Sequence, residues 1–378
     1  MAAGAQVGPS WFQRYLLPGL AFKAVVIGGG YATGRELAEF FLPSGPWGGI
    51  AAILLATALF SLICILTFLF ARATESHDYL TFFKALLGPG WVAFEAVYIL
   101  FLVLILAVYG AAAGAIGEAV FGAPALAGTI ALGAGIILAV TFGNRSVERV
   151  FEYVSYLLYG VYFLFIVLAF WKFGDRISAG FAIDAPATGW ALGGATYAGY
   201  NIIGAIVILP VVRHLTSSRD AVVAGAIAGP LTMIPALFFF CAMVAFYPEV
   251  AGAELPSDYL LSRMELPLFH LLFQLMIFSA LLESGTSGVH AINERIDRSW
   301  RKHRGAALSN RARLAIAFVL LVGCMLLAGR FGLVALIANG YRLLAYFMIA
   351  VFVLPLVTIG VARLIKSNRS TQPTGDSS

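Results

Sequence analysis

Residues 21–41 read AFKAVVIGGGYATGRELAEFF, and the behaviour of this stretch decides the fold. It is apolar enough to enter a membrane, but Gly28, Gly29 and Gly30 interrupt it midway, and Arg35, Glu36 and Glu39 follow at once. Each glycine costs a helix about 1 kcal/mol relative to alanine and leaves the backbone without side-chain cover. Irregular backbone at membrane depth is tolerated only inside protein or beside an aqueous cavity. The stretch therefore predicts a membrane helix broken at a site, with its second half starting near Tyr31. The competing reading is a tight helix contact, because Gly30 and Gly34 form a GxxxG face. Charges placed directly after the break favour the site.

The whole chain supports a membrane setting. Of its 378 residues 61% are hydrophobic and 11% charged, against about 25% charged in soluble domains. It reads as a polytopic membrane protein. Cys64, Cys241 and Cys324 each sit in an apolar stretch, which argues for small buried side chains rather than disulfides or a metal centre. The first residues lack the pattern of a cleavable signal peptide. The net charge of +5 does not point to nucleic acid, since the basic residues fall beside apolar spans.

Windows of about 20 apolar residues give ten spans, near 15–41, 47–71, 91–119, 124–142, 150–171, 188–212, 219–247, 267–290, 311–329 and 332–363. The last contains Asn339, Gly340 and Arg342, so a kink or tilt is expected there. With the N-terminus inside, 17 of the 24 Lys and Arg fall on the cytoplasmic side and 4 outside. The positive-inside rule then puts both termini in the cytoplasm of a prokaryotic plasma membrane. One transporter domain over 1–366 is expected, with a short polar tail, 367–378, disordered. Asp78 is placed to cap a short amphipathic helix carrying Phe82, Phe83, Leu86 and Leu87 along the membrane interface. The outer loop 247–267 is long enough to act as a lid. The basic block 293–313 reads as a topology anchor facing anionic lipid.

Ten spans divide into five and five, about 15–171 and 188–363, and an odd number per half makes the second half enter from the opposite side. If the halves correspond, span 6 should be interrupted like span 1. It carries Gly193-Gly194-Ala195-Thr196-Tyr197-Ala198-Gly199-Tyr200-Asn201 mid-membrane. Two interrupted segments at matching positions are the best sequence pointer to a transporter site near the bilayer midplane. The glycines also suit a small-residue packing face, but the buried hydroxyls and amide need partners. The expected solute contacts are Gly28, Gly29, Gly30, Tyr31, Thr196, Tyr197, Gly199, Tyr200 and Asn201.

Span 8 adds Glu283, Thr286 and Ser287, which at i, i+3 and i+4 share one helix face. Glu283 lies about 24 Å along the axis from Pro267 at ~1.5 Å per residue. A carboxylate there needs a cation, a proton, or an ion pair with Lys23 or Arg35. Arg35, Glu36 and Glu39 are expected to form an outer gate or a structural ion cluster. Glu95, Glu118, His270 and His290 sit near span ends, and no Ser-His-Asp order, metal-spaced cluster or phosphate loop is present, so an enzyme is not expected.

The motif Val26-Ile27-Gly28-Gly29-Gly30-Tyr31-Ala32-Thr33-Gly34-Arg35-Glu36, followed by Phe40-Phe41, resembles the YkvI-like family of bacterial membrane proteins, as do Tyr200-Asn201 and Asn293-Glu294-Arg295-Ile296. This chain has Gly29 where that family usually has Ala, and Arg35 where it usually has Gln. The family is similar to the amino acid–polyamine–organocation superfamily. The resemblance implies an all-α leucine-transporter fold with a 5+5 inverted repeat. It also implies a sodium site in which Thr286 and Ser287 are joined by the carbonyls of Ala24 and Ile27, with Glu283 at the remaining position. The implied function is secondary transport of an amino acid, amine or organic acid, coupled to sodium or protons. The alternative is a ligand sensor of the same fold without net transport. Lipid and a small solute are the partners expected; beyond sodium no cofactor is.

Overall fold

The first span folds as two helices with unwound backbone between them. α1, Leu17–Val26, ends where Ile27 (φ −89°, ψ 78°) and Gly28 (φ −104°, ψ −171°) leave helical geometry. A single turn, Gly29–Ala32, follows; Gly34 then takes φ +78°, and α2 runs Arg35–Phe40. That left-handed residue ends the GxxxG reading, because Gly30 and Gly34 do not lie on one continuous helix. A Cβ at Gly34 would also sit 2.8 Å from the Phe239 ring.

The computed structural model describes residues 8–142 and 145–370, with backbone alone for 145–156 and 367–370. Among the described residues there is no strand. The chain continues through α3 (Gly45–Ala73), α4 (Tyr79–Leu87), α5 (Trp91–Phe121), α6 (Ala125–Phe142), α7 (Arg145–Phe181), α8 (Trp190–Asn201), α9 (Ser218–Val244), α10 (Pro256–Met264), α11 (Pro267–Arg304) and α12 (Asn310–Ala335). A final helical run then extends through Ser370. Residues 371–378, most of the tail expected to be disordered, lie outside the described residues.

Among the described residues, seven helical stretches are long and apolar enough to cross a membrane, against ten expected spans. Two of the expected spans are the interrupted ones, whose pieces are each too short to qualify. A third is merged: Asn310–Lys366 is 57 residues long, about 85 Å at ~1.5 Å per residue and well beyond one ~30 Å hydrocarbon layer. It breaks at Gly332 (φ 73°, ψ 168°).

Packing between helices carries the repeat. α3 and α9, second in each half, share the largest interface. The contact of α1 with α9 has its counterpart in that of α8 with α3. The contact of α5 with α12 is matched by that of α11 with α6, and α5 with α6 by α11 with α12. Corresponding helices of the two halves thus make several matching contacts, in keeping with a two-fold relation between the halves. Small residues let these helices approach: a Cβ on Gly229 would lie 2.3 Å from the Thr57 carbonyl, and one on Gly225 2.5 Å from the Ile65 nitrogen.

Two expectations change. α4 is capped by Asp78, whose carboxylate accepts from the N–H groups of Leu80 and Thr81, but its apolar face does not lie along lipid. Phe82 and Phe83 pack on Phe70, Phe94 and Phe352 instead. Span 8, expected to end near 290, continues as helix to Arg304 through much of the basic block 293–313. Hydropathy falls after residue 290 while helix-forming residues continue. Its charges are tied down: Arg295 to Glu95 at 2.6 Å, Arg301 to Asp297 at 2.7 Å and Arg313 to Glu294 at 2.9 Å.

Candidate functional site

Span 6 is helical through the stretch expected to be interrupted, Gly193–Asn201, and its interruption comes just after it, at two residues that keep right-handed helical dihedrals. α8 ends at Asn201, and Ile202 and Ile203 separate it from the single turn Gly204–Val207. The two breaks face a common cavity of about 30 Å³ lined by Gly28, Tyr31, Glu36, Tyr200, Asn201 and Ile203. Phe101, Ile105 and Tyr109 of α5, and Tyr341 of the final run, complete its wall. A volume of ~10–15 Å³ on this measure holds one water, so the chamber is nearly closed.

Glu36 is the one charged side chain among these residues. It is buried, and its Oε2 accepts from the Tyr200 hydroxyl at 2.5 Å. Asn201 also bonds it, while the Asn201 amide donates to the Tyr197 carbonyl at 3.2 Å. A Cβ on Gly30 would come within 3.3 Å of Glu36 Oε1, so the missing side chain lets the carboxylate fold back against the break. Tyr162 donates to the Tyr31 hydroxyl at 3.4 Å, and the Tyr200 and Tyr341 rings lie 4.4 Å apart.

This placement corrects the expectation that Glu36 stands with Arg35 and Glu39 at a gate. Arg35 points the other way. Its guanidinium donates to the carbonyls of Ala251 and Ala253 at 2.8 and 3.0 Å and to Glu39 at 2.7 Å. Arg342 lies 3.8 Å from the other Glu39 oxygen. The loop 247–267 is pinned here as well, since the Ser257 N–H donates to the Thr33 carbonyl at 2.9 Å. Consecutive residues diverge because Arg35 and Glu36 open a helix, where neighbours stand ~100° apart.

A second cluster joins the foot of the first span to the start of α9. Arg14 donates to both carboxylate oxygens of Asp220, at 3.0 and 2.7 Å, and Tyr15 adds a bond of 3.0 Å.

Some expected contacts are packing. Tyr197 is fully buried among Phe40, Phe41 and Phe60, and its hydroxyl has no hydrogen-bond partner among the described residues. A Cβ on Gly199 would press on Ala345 at 3.1 Å, and one on Gly193 would lie 2.1 Å from the Phe40 carbonyl. Thr196 is buried and does not line the cavity. The packing reading of span 6 thus holds for these positions, while Tyr200 and Asn201, one turn on, reach the chamber. Gly29 opens the short turn after the break.

On α11 the Thr286 hydroxyl donates to its own helix at Leu282, 2.7 Å away, and Ser287 is exposed, as is Ala24 on α1. Ile27 is buried at the break. Glu283 lies beside Tyr159, over whose ring Lys23 sits at 4.4 Å. The residue of α11 that reaches the break is Ser284, beside Tyr109; a Cβ on Gly28 would meet the two hydroxyls at 3.7 and 3.6 Å. Sequence reasoning missed Ser284, Tyr109 and Tyr341. Tyr341 closes a wide helical turn, Leu336–Tyr341, at the Asn339-Gly340 pair that marked a kink, and such turns cluster at functional sites.

No protein-family model matches the chain. It is 26% identical over 284 residues to the uncharacterized membrane protein YkvI of Bacillus subtilis (strain 168), covering 73% of this chain and 80% of that one. It shares its fold with a Na+-coupled sialic acid symporter in its substrate-bound outward-open state (TM-score 0.62, 15% identity, 94% of this chain and 80% of that one). The same holds for MhsT in complex with L-phenylalanine (TM-score 0.55, 16% identity, 98% and 100%). The resemblance to YkvI and the leucine-transporter architecture read from the motif are thus borne out: this is a polytopic all-α membrane protein similar to YkvI and built on that fold.

Proposed function

We propose that the chain is a secondary active transporter that moves a small polar solute across a plasma membrane by alternating access, within one domain spanning residues 1–366. The observation that carries this reading is a small chamber beside two interrupted helices, with an ion-paired cluster towards each end of the first span: Arg14–Asp220 at its foot and Arg35–Glu39 beside the lid. In this reading the two clusters serve as the gates. A conduit needs only one closure, whereas alternating access needs two that open in turn. Proteins of the same fold bind L-phenylalanine and couple sialic acid to Na+, in keeping with a solute and an ion as cargo. The basic end, with Arg14, belongs in the cytoplasm by the positive-inside rule.

Coupling is assigned to sodium or a proton on the α1/α11 face. The last carbonyls of a helix have no partner within it, so α1 would offer oxygens around Ala24 and Ile27, with Glu283, Thr286 and Ser287 as the proposed ligands from α11. The test is counterflow of labelled solutes in reconstituted vesicles under imposed sodium and proton gradients. Saturable exchange that responds to one gradient and falls in Tyr200→Phe supports the reading. Solute binding without exchange in any gradient sinks it and leaves a sensor.

A further inference from the structure

We infer that the central chamber selects a small organic cation, a protonated amine, with Glu36 as its counter-charge. The inference rests on the chamber being the solute site. The sequence left amine, amino acid and organic acid open because both charge signs follow the break; the structure separates the signs. Glu36 turns inward and is the one charged group among the residues lining the chamber. The cations nearby are engaged elsewhere: Arg35 on two lid carbonyls and Glu39, Arg342 near Glu39, and Lys23 over Tyr159. An anion entering the chamber would meet a carboxylate with no positive group to offset it. An ammonium ion would meet that carboxylate together with the rings of Tyr31, Tyr109, Tyr200 and Tyr341, whose faces attract cations.

The lid side carries acidic groups as well, with Asp258 already held by His270 and Gln274. Beside the lid lies a second cavity of about 300 Å³ whose walls include Glu118, Glu254 and Asp258. Burial and the nearby Glu118 raise the Glu254 carboxyl above its ordinary value, as expected where like charges crowd. Such a rim concentrates cations and repels anions. The size of the closed chamber, about 30 Å³, favours a compact ammonium group over a long polyamine.

Full-length protein in lipid nanodiscs should be titrated calorimetrically with methylammonium, ethylammonium and phenethylammonium, with alanine, and with propionate. Saturable binding of at least one ammonium ion is expected, with propionate silent. Glu36→Gln should weaken it roughly 10- to 100-fold, the scale of one charge-assisted hydrogen bond, and Glu36→Asp should restore part of it. Melting of each variant without solute separates misfolding from lost recognition, and Glu36→Asp keeps the test usable if Glu36→Gln does not fold. Binding of propionate or of alanine alone, no binding of any ammonium ion, or ammonium binding unchanged in Glu36→Gln overturns the inference. Counterflow of labelled methylammonium distinguishes the two readings. Glu36-dependent binding without exchange keeps the cation site and removes the transporter, whereas exchange of propionate or alanine alone does the reverse.

Discussion

The guanidinium of Arg14 holds both carboxylate oxygens of Asp220, 206 residues further along the chain, and so ties the foot of the first span to the start of α9. The Asp220 side chain is fully buried while that of Arg14 is about a third exposed. Thr216 and Ser217 add backbone donors to the same carboxylate.

Removing the guanidinium should therefore loosen this end without unfolding it. Arg14→Ala is expected to cost about 1–3 kcal/mol, the range for a charged hydrogen bond with part of its shell retained. Labelling of a cysteine placed at Val26, which is buried on α1 and lines the chamber, should then be faster than in the parent carrying that cysteine. Equal labelling rates would show that the pair does not hold the end shut.

A similar experiment addresses the lid. Arg35→Gln removes the charge behind the bonds to Ala251 and Ala253 and the pair with Glu39. At about 1.5–3 kcal/mol per charged bond, backbone hydrogen exchange across 249–264 should accelerate at least tenfold. Exchange at α3, packed elsewhere, should not change. An unchanged lid would mean that the Ser257–Thr33 backbone bond suffices.

Span 6 makes a steric prediction. Gly193→Ala would place a Cβ 2.1 Å from the Phe40 carbonyl and Gly194→Ala one 2.5 Å from that of Ala52. Each should destabilise by about 1–3 kcal/mol or more through overpacking, read as a lower melting temperature in detergent. Gly323→Ala, on α12 with nothing within 4 Å, is the control and should be neutral or slightly stabilising.

The cap on α4 predicts a pH dependence. Burial raises the Asp78 carboxyl, but bonds from the Thr81 hydroxyl and the Thr81 and Leu80 N–H groups outweigh it and hold the group below its ordinary value. A depressed carboxyl adds stability above its unfolded pKa, and that stability is lost as pH falls through the folded one. Asp78→Ala should cost about 1 kcal/mol at neutral pH, and its difference from the parent should shrink on acidification below the carboxylate range. Asp78→Asn, which keeps an acceptor, should lower stability less at neutral pH. A gap independent of pH would remove the ionised cap.

The first break was legible because glycine states its effect locally: Gly28 and Gly34 act through their own backbone, whatever surrounds them. The membrane-spanning character was legible from hydropathy, although seven long apolar stretches among the described residues stand against the ten expected. Direction was not. Arg35 and Glu36 read as one charged cluster, and only the helix that they open turns one to the lid and the other to the chamber. Tyr109 stands in a smooth apolar stretch, where nothing in the neighbouring sequence separates a wall residue from a core residue, and Ser284 lies inside the polar run Glu283–Ser287, where the i, i+3, i+4 pattern drew attention to its neighbours instead. Tyr197 and Gly199 erred in the opposite direction, since an aromatic or a glycine near a break is as useful for close packing as for recognition.

The backbone-to-backbone seams at Gly193 and Gly194 fix which parts of the molecule travel together. With no side chain between them, the upper first span, α3 and the opening turns of α8 have no cushion that could shear, and they behave as a single casting. Any swing that admits cargo must then be taken up at Ile27–Gly28 and at Ile202–Ile203, leaving those two joints as the axles of the machine.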